Sequence, residues 1–240
     1  MKYYYDLHMH SCLSPCGSDD MTPNNLVNMA KLAGYDIIAL TDHNSSLNCP
    51  AAVKAGKQAG VTVVPGMELC SSEEVHIVCL FPKVENALDF SEYVSERMMK
   101  VPYSVEIFGN QHIMDENDRI TGTVENLLNV AADISANKAA KLVSDFGGVC
   151  FPAHIDRPSF SIISNLGMIT GDMGFVNAEL TAMADPEEYS LKYPILKKMR
   201  LLTDSDAHYL ENIPDALRTL ELEECSAECL IDLLRQPPEI

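Results

Sequence analysis

The 240-residue chain has no long apolar run, no internal repeat and no low-complexity tract. No segment approaches the roughly 20 consecutive apolar residues that a membrane-spanning helix needs. The opening residues, Met1 to Asp6, also lack the apolar stretch of a signal peptide. These absences predict a cytoplasmic protein without a membrane partner. Since 47% of the residues are apolar, one domain of the barrel or large α/β kind, or at most two small domains, can bury a sizeable core.

Basic residues are scarce. The chain has 17 Lys and Arg residues against 35 Asp and Glu residues, which gives a formal net charge of −18. Binding to nucleic-acid duplexes depends on basic side chains that neutralise phosphates, so we expect no duplex nucleic acid among the partners. A small phosphorylated substrate is compatible with this charge, because bound divalent cations can dominate the local field.

The eight cysteines are expected to be reduced thiols, because a chain of this size without an export signal rarely carries disulfides. Cys70, Cys79 and Cys150 lie in apolar, strand-like runs and are predicted to be core residues. Cys12 and Cys16 lie in a loop with a spacing unlike that of a zinc ribbon. We do not expect either of these two thiols to bind metal.

Six of the seven histidines belong to a series of short motifs that also supplies carboxylates. The motifs are Asp6-Leu7-His8-Met9-His10-Ser11, Thr41-Asp42-His43-Asn44, Gly66-Met67-Glu68-Leu69, Val75-His76-Ile77, Pro152-Ala153-His154-Ile155-Asp156-Arg157 and Thr203-Asp204-Ser205-Asp206-Ala207-His208. Imidazole and carboxylate are ligands for zinc, iron and manganese. Because the motifs are far apart in sequence, the fold must bring them together into a metal site. His112 stands apart and is interpreted as a surface histidine rather than a substrate contact.

Helices and apolar strands alternate along much of the chain. Strands are predicted at residues 2–7, 36–40, 61–65, 75–81, 148–154, 175–180, 201–206 and 217–222. Continuous apolar strands separated by helices indicate an α/β fold with a parallel sheet covered on both faces. The candidate ligands mostly follow the strands at their carboxyl ends, where barrels of this type assemble catalytic residues.

Residues 82–148 interrupt this alternation. Helices are predicted at 86–100, 124–134 and 137–146, and residues 103–122 are polar and loop-like. We therefore expect a barrel domain formed by residues 1–81 and 149–240. Residues 82–148 are expected to be a mainly helical insertion over the active site.

The ordered motifs resemble the PHP (polymerase and histidinol phosphatase) family of metal-dependent phosphoesterases. The resemblance extends from Asp6 to His208 and is carried by His-x-His-Ser, Thr-Asp-His-Asn, Gly-x-Glu, a strand histidine, Pro-Ala-His and Ser-Asp-Ala-His. It implies a distorted seven-stranded (β/α) TIM-like barrel with a trinuclear metal site. About three divalent ions per chain, Mn²⁺, Zn²⁺ or Fe²⁺, would be the cofactors.

The resemblance also implies how the side chains are shared among the ions. The first ion would be bound by His8, His10, Glu68 and Asp206, the second by Glu68, His76 and His154, and the third by His43, His208 and an acid near position 20. Local spacing agrees in part, because His8 and His10 are two residues apart at a strand end and point the same way. Glu68 has two oxygens and can bridge neighbouring ions.

The acid of the third set is where the chain departs from the family. The family often has Ser-Asp-Gly soon after His-x-His-Ser, whereas this chain has Ser14-Pro15-Cys16-Gly17-Ser18-Asp19-Asp20. Asp20 lies just before a helix cap and is the predicted ligand. Asp19 is the alternative, and either residue can instead be an exposed turn aspartate.

Three further side chains have expected supporting roles. Asp42 is expected to orient His43 or the turn backbone, and Asp204 to support a metal-bound imidazole. Arg157 follows His154 by three residues and is predicted to bind a substrate phosphate through its planar fork, with a surface ion pair as the alternative.

The function predicted from this resemblance is hydrolysis of a phosphomonoester, with a metal-held water as nucleophile and Glu68 and Asp206 as the catalytic ligands. The stretch between His76 and His154 resembles the insertion of PHP nucleotide phosphatases. The predicted substrate is therefore a small nucleotide, such as a 3′,5′-bisphosphorylated nucleoside or a short RNA end. The alternatives are a histidinol-phosphate phosphatase and a non-catalytic metal-binding PHP module.

Overall fold

A mixed six-stranded sheet forms the centre of the computed structural model, which describes residues 1–238. The strands in chain order are β1 (Lys2–Met9), β2 (Ile37–Leu40), β3 (Thr62–Cys70), β4 (His76–Leu80), β5 (His112–Met114), β6 (Ile120–Thr123), β7 (Val149–Pro152), β8 (Asn177–Glu179), β9 (Arg200–Leu202) and β10 (Thr219–Glu221). The main sheet has the order β10-β1-β2-β3-β4-β7. Strands β8 and β9 form a separate parallel pair, and β5 and β6 a separate antiparallel pair.

Eight α-helices occur within residues 1–238. They are α1 (Pro23–Ala33), α2 (Cys49–Ala59), α3 (Val84–Ser95), α4 (Val105–Phe108), α5 (Ala136–Asp145), α6 (Ile162–Leu166), α7 (Pro186–Lys192) and α8 (Ala227–Leu234). Helix α1 begins after Thr22, whose side chain accepts a hydrogen bond from the backbone N–H of Asn25, and it ends at Gly34 with φ 93°. Within this part of the chain no helix has the length and apolar character needed to cross a bilayer.

One hydrophobic cluster shows how the sheet is shaped. Its buried side chains come from five of the six strands of the main sheet, from β1 across to β7, and from β9. They include Leu7, Ile37, Val64, Val78, Phe151 and Leu202. Strands that lie several positions apart in the sheet can share one cluster only if the sheet curls around it. Leu230, Ile231 and Leu234 of α8 belong to the same cluster and cover one end of it.

The predicted α/β class is confirmed, but the strand arrangement differs from the expected parallel, seven-stranded barrel. The main sheet has six strands, and only the β1–β2 and β2–β3 pairs within it are parallel. Strands β3 and β4 are antiparallel because only residues 71–75 join them. A parallel connection would need a crossover of about a dozen residues or more. Residues 1–238 therefore form a curled, mixed sheet of six strands, and the predicted closed barrel of seven strands is not confirmed.

Residues 82–148 contain α3, α4 and α5 and also the β5–β6 pair. The predicted helix at 124–134 is wrong. Its apolar side chains, Leu127, Leu128 and Ala132, are buried without a helix, and the backbone N–H of Leu127 donates to the carbonyl of Val101. The segment at 103–122 is not only loop, because Asp115 accepts from the N–H groups of Asn117 and Arg119 and forms the turn that pairs β5 with β6.

The same segment lies against the loops that follow β1 and β2. Asn44 donates through Nδ2 to the carbonyls of Leu128 and Val130, at 2.7 Å each. Asn48 donates to the carbonyl of His112 at 3.0 Å. These contacts place residues 82–148 next to the loops that carry the candidate ligands. The division into a barrel and a covering insertion stays a prediction.

Candidate metal centre

Glu68 in β3 is the centre of the candidate site. The residue is 1% exposed, and five imidazoles surround its two oxygens. Oε1 lies 3.2 Å from His8 Nε2, 2.9 Å from His76 Nδ1 and 3.2 Å from His154 Nε2, whereas Oε2 lies 3.3 Å from His10 Nε2 and 2.9 Å from His43 Nδ1. One carboxylate therefore contacts groups contributed by four different segments, an arrangement suited to a bridging ligand.

Asp206 is the second carboxylate of the site. Its Oδ1 lies 3.1 Å from His10 Nε2 and 3.4 Å from His8 Nε2. The other oxygen, Oδ2, accepts a hydrogen bond of 2.6 Å from Arg157 Nη1. The His8 and His10 rings thus lie between the two carboxylates, as expected from their i, i+2 spacing at the end of β1.

Three sets of side chains have potential ligand atoms within 4.8 Å of one another. They are His8, His10, Glu68 and Asp206, then His43, Glu68 and His76, and then His10, His43 and His208. The first set is the one predicted from the sequence. The second contains His43 where His154 was expected, although His154 also contacts Glu68. The third contains His10 where an acid near position 20 was expected.

Asp20 lies apart from these sets. Both Asp19 and Asp20 are exposed, and the carboxylate of Asp19 accepts hydrogen bonds of 2.8 and 3.1 Å from Asn110 Nδ2. The structure therefore leaves both candidate acids at the surface.

Glu179, at the end of β8, is a site residue that sequence reasoning missed. Its Oε2 lies 2.8 Å from His8 Nδ1, and both side chains are buried. A carboxylate behind a ligating histidine fixes the ring orientation and raises its basicity. The signal was present, because Glu179 is an acid at the end of a predicted strand, but no motif marked it.

The loop after β1 is held by the predicted supporting residue Asp42. Its Oδ1 accepts from the backbone N–H of Ser11 at 2.7 Å and from Ser14 Oγ at 2.8 Å. Ser14 Oγ lies in turn 2.9 Å from His10 Nδ1. Asp42 therefore orients His10 through the turn. Asp204 does not contact an imidazole directly, and its Oδ1 accepts from the N–H of Leu7 at 2.7 Å.

Both carboxylates of the centre are charged at neutral pH. Burial would raise the pKa of Glu68, but the imidazoles of His76, His8 and His43 hold it well below its usual range. Burial would also raise the pKa of Asp206, and His8 is the main group that holds it well below its usual range. Charged carboxylate is the form that ligates metal.

The imidazoles differ in their proton affinity. Burial would lower the pKa of His10 and of His43, but neighbouring carboxylates, Glu68 among them, raise both to about 9. Burial and the nearby His10 lower the pKa of His208 to about 3. Protons on His10 and His43 thus balance the buried carboxylates, and divalent ions would displace them because a ligating imidazole is neutral.

Unpartnered buried atoms test whether these residues fit metal ions. Four of them lie in the centre and have no partner in hydrogen-bonding geometry, namely His43 Nδ1, Glu68 Oε2, His154 Nδ1 and Asp206 Oδ1, although the first two lie 2.9 Å apart. Leaving such atoms unpaired costs about 1–3 kcal/mol each, more for charged groups. Since nitrogen and carboxylate oxygen are suitable donors for zinc, iron and manganese, the donor set fits divalent ions.

Two of the candidate ligands have strained backbones. His154 has φ 30° and Asp206 has φ 52°, which lie in the left-handed region that non-glycine residues rarely adopt. Such conformations cost about 1–3 kcal/mol and cluster at functional sites. The strain aims both side chains towards Glu68 and His10.

An α/β fold that gathers six imidazoles and two carboxylates in this way is typical of metal-dependent hydrolases. The family model of the PHP domain matches residues 6–160, and the chain belongs to the PHP family. This membership confirms the resemblance on which the prediction of a phosphoric ester hydrolase rests.

Individual relatives either match only a part of this chain or share about a fifth of its residues. A 5′-3′ exoribonuclease from Haemophilus influenzae is 34% identical over 83 residues, which are 33% of this chain and 29% of that protein. The lesion-specific endonuclease PfuEndoQ from Pyrococcus furiosus superposes on 98% of this chain and 56% of its own, with 20% identity and a TM-score of 0.72. A proposed metal-dependent phosphoesterase from Bifidobacterium adolescentis covers 94% of this chain and 95% of its own, with 19% identity and a TM-score of 0.64. At this identity the two structures establish the fold.

The prediction that duplex nucleic acid is excluded is wrong. A structure of Endonuclease Q holds a 27-mer duplex with an abasic lesion at its active site, and it shares this fold over 98% of the chain at a TM-score of 0.70. Net charge was a poor guide because it is a sum over the whole surface, whereas binding at a metal site depends on the local field.

Proposed function

We propose that the protein is a metal-dependent phosphoesterase that removes a phosphate from a small nucleotide, such as a 3′,5′-bisphosphorylated nucleoside or a short RNA end. One observation carries this proposal. A cavity of about 330 Å³ opens beside the metal centre and shares Asp206 and Arg157 with it. A substrate in this cavity would have its phosphate next to the ligands.

The cavity has the size and lining for a small nucleotide. Ligand pockets usually measure about 300–1,000 Å³, so this cavity suits a small molecule. Arg157 and Arg218 both line it, which provides two guanidinium groups for a substrate with two phosphates. Asp204 also lines it. Leu217 and Met183 provide apolar surface.

Arg157 can both form an ion pair and bind a substrate phosphate, the two roles predicted for it as alternatives. It forms an ion pair, but with the candidate ligand Asp206 rather than with a surface residue, and its side chain is 41% exposed. A guanidinium has five N–H donors, so one bond to Asp206 leaves others for phosphate oxygens. The geometry supports its proposed role in binding substrate.

Phe160 offers a second feature suited to nucleotides. Its ring stacks on His76 at 4.8 Å between centroids, and the side chain is 43% exposed. The residue is held with φ 54°, and its carbonyl accepts from the N–H of His76. An exposed aromatic ring beside a catalytic centre can stack on a base.

The residues of the centre divide the tasks of the proposed reaction. Three overlapping ligand sets support about three divalent ions, Mn²⁺, Zn²⁺ or Fe²⁺. When bound, they supply Lewis acidity and lower the pKa of water. Glu68 and Asp206 provide the negative charge that holds them. Glu179 orients His8, and Arg157 holds the phosphate oxygens in place.

Phosphate release from the metal-loaded protein tests the proposal. The panel contains a nucleoside 3′,5′-bisphosphate, a 5′-phosphorylated oligoribonucleotide, histidinol phosphate and an abasic duplex, with the Glu68→Gln variant as control. We expect kcat/KM for one of the two nucleotide substrates to exceed that for histidinol phosphate by at least about tenfold. Preferred hydrolysis of histidinol phosphate or cleavage of the duplex would refute the substrate assignment. Absence of turnover at full metal content would show a non-catalytic module.

A further inference from the structure

The loop between β7 and α6, residues 153–161, carries both a candidate ligand and the candidate phosphate-binding side chain. His154 lies 3.2 Å from Glu68, and Arg157 donates a hydrogen bond of 2.6 Å to Asp206. Arginine has a long and flexible side chain, so the place that its guanidinium reaches depends on where the main chain is anchored. The anchoring of this loop therefore bears directly on phosphate binding.

Asp156 attaches the loop to the segment that follows β8. Its Oδ1 accepts a hydrogen bond of 2.8 Å from the backbone N–H of Thr181, and its Oδ2 accepts one of 2.5 Å from Thr181 Oγ1. Both oxygens of the carboxylate thus bond to one residue, and both residues are half-buried. Thr181 lines the same cavity as Arg157. The pair of Asp156 and Thr181 therefore joins two walls of that cavity.

Two further hydrogen bonds fix the main chain on either side of Asp156. The backbone N–H of Ile155 donates to the carbonyl of Glu179 at 2.9 Å. The carbonyl of Arg157 accepts from Ser161 Oγ at 2.8 Å. Neither bond uses the side chain of Asp156, so both can persist when that side chain is replaced. A substitution at Asp156 should therefore loosen the loop without unfolding it.

We propose that Asp156 is a positioning residue for Arg157. By holding the loop to Thr181, it places the guanidinium where one N–H binds Asp206 and the others face the substrate phosphate. The carboxylate itself, with both oxygens bonded to Thr181, binds neither metal nor phosphate in this assignment. The inference rests on the proposed function through the role of Arg157, but it does not depend on which phosphate ester is hydrolysed.

Binding of inorganic phosphate to the metal-loaded chain tests the proposal without turnover. The dissociation constant for phosphate and the metal content per chain are measured for the wild type, Asp156→Ala and Asp156→Asn. We expect Asp156→Ala to bind phosphate about fivefold more weakly at full metal content, because the guanidinium is no longer held in place. Asp156→Asn should stay within about twofold of the wild type, since its amide can accept from the N–H of Thr181 and donate to its hydroxyl.

A double variant and a matched control separate positioning from other roles. In an Arg157→Ala background, Asp156→Ala should change the dissociation constant by less than about a further twofold, because Asp156 acts through Arg157. Asp115→Ala is the control. Asp115 is also half-buried and also accepts two hydrogen bonds, from backbone N–H groups in the turn between β5 and β6. This variant should bind phosphate as the wild type does.

Several outcomes would overturn the proposal. They are an unchanged phosphate affinity in Asp156→Ala, equal losses in Asp156→Asn and Asp156→Ala, and a further fivefold loss in the Arg157→Ala background. Loss of metal from Asp156→Ala would also overturn it, because Asp156 would then act on the ligand His154. A wild type that binds no phosphate would overturn it as well. A wild type that binds phosphate but hydrolyses no phosphate ester would contradict only the proposed function.

Discussion

His8 Nδ1 lies 2.8 Å from Glu179 Oε2, and neither side chain is more than 1% exposed. This contact joins β1 to β8 across 171 residues of sequence. Because Nδ1 is engaged by Glu179, Nε2 is the nitrogen that faces Glu68 and Asp206, at 3.2 and 3.4 Å. Glu179 therefore determines which ring nitrogen of His8 is available to a metal ion.

Replacing Glu179 with Gln should weaken metal binding without removing a ligand. Loss of the carboxylate behind a ligating imidazole typically costs about 10–100-fold in metal affinity. Isothermal titration of the metal-free protein with Zn²⁺ measures the effect, and Glu187→Gln, at the exposed start of α7, is the matched control. An affinity equal to that of the control would remove Glu179 from the metal centre.

Glu68→Gln and Asp206→Asn should each abolish phosphate release. Each change removes a charged ligand from the centre while preserving side-chain volume, so the core stays filled. Loss of the Lewis acidity of a bound ion costs several kcal/mol of barrier, which corresponds to at least about a thousandfold in kcat. Turnover near that of the wild type at saturating metal, in a variant with a native circular dichroism spectrum, would refute these assignments.

Arg157→Ala should lower kcat/KM for the nucleotide substrate by at least about tenfold, since a charge-assisted bond to phosphate is lost. Arg157→Lys should restore only part of it, because an ammonium cannot reproduce the planar fork. Arg235→Ala is the control, as its side chain is 43% exposed, compared with 41% for Arg157, and it pairs with Asp232 outside the centre. Equal kcat/KM values for the two alanine variants would show that Arg157 is only an ion-pair partner.

Metal binding should release protons below about pH 9. The pKa values of His10 and His43 are raised from 6.5 to about 9, so both imidazoles are protonated in the metal-free fold at pH 7. Their contribution to metal-free stability is fully present below about pH 6.5 and is lost as the pH rises through about 9. Metal affinity changes in the opposite sense and should increase with pH over this interval.

Calorimetric titrations at pH 7 in buffers with different protonation enthalpies measure this release. We expect about three protons per chain at metal saturation, one from each of these imidazoles and one from His8, whose pKa is raised well above its usual value by Glu179 and Asp206 despite burial. At pH 10 the release from His10 and His43 should be close to zero. A binding enthalpy independent of the buffer at pH 7 would show that neither imidazole is charged in the metal-free protein.

The ordered motifs predicted most of the centre because metal ligands of this kind follow buried strands, and buried apolar strands are readable from sequence. His8, His10, Glu68 and Asp206 come together as expected. The position of Asp20 could not be predicted, since the turn of the loop leaves both Asp19 and Asp20 exposed. That turn depends on backbone bonds to Ser14 and His208, the latter nearly two hundred residues away in sequence.

Topology was harder to predict than the ligands. Strand β4 is apolar whether its partners are parallel or antiparallel, so its composition gave no direction, and the shortness of residues 71–75 was the available signal. Residues 124–134 have apolar spacing that favours a helix, yet Leu127 and Ala132 bond to distant carbonyls instead. Tertiary contacts override such local preferences.

Re-metallation of the chelator-treated protein tests the central claim most directly. Release of phosphate from a nucleoside 3′,5′-bisphosphate is measured against the number of ions bound per chain. The account predicts no turnover without ions and a rise that saturates at about three ions per chain. Turnover that is independent of bound metal, or its absence at full loading, would contradict the claim that the cluster around Glu68 is a hydrolytic metal centre.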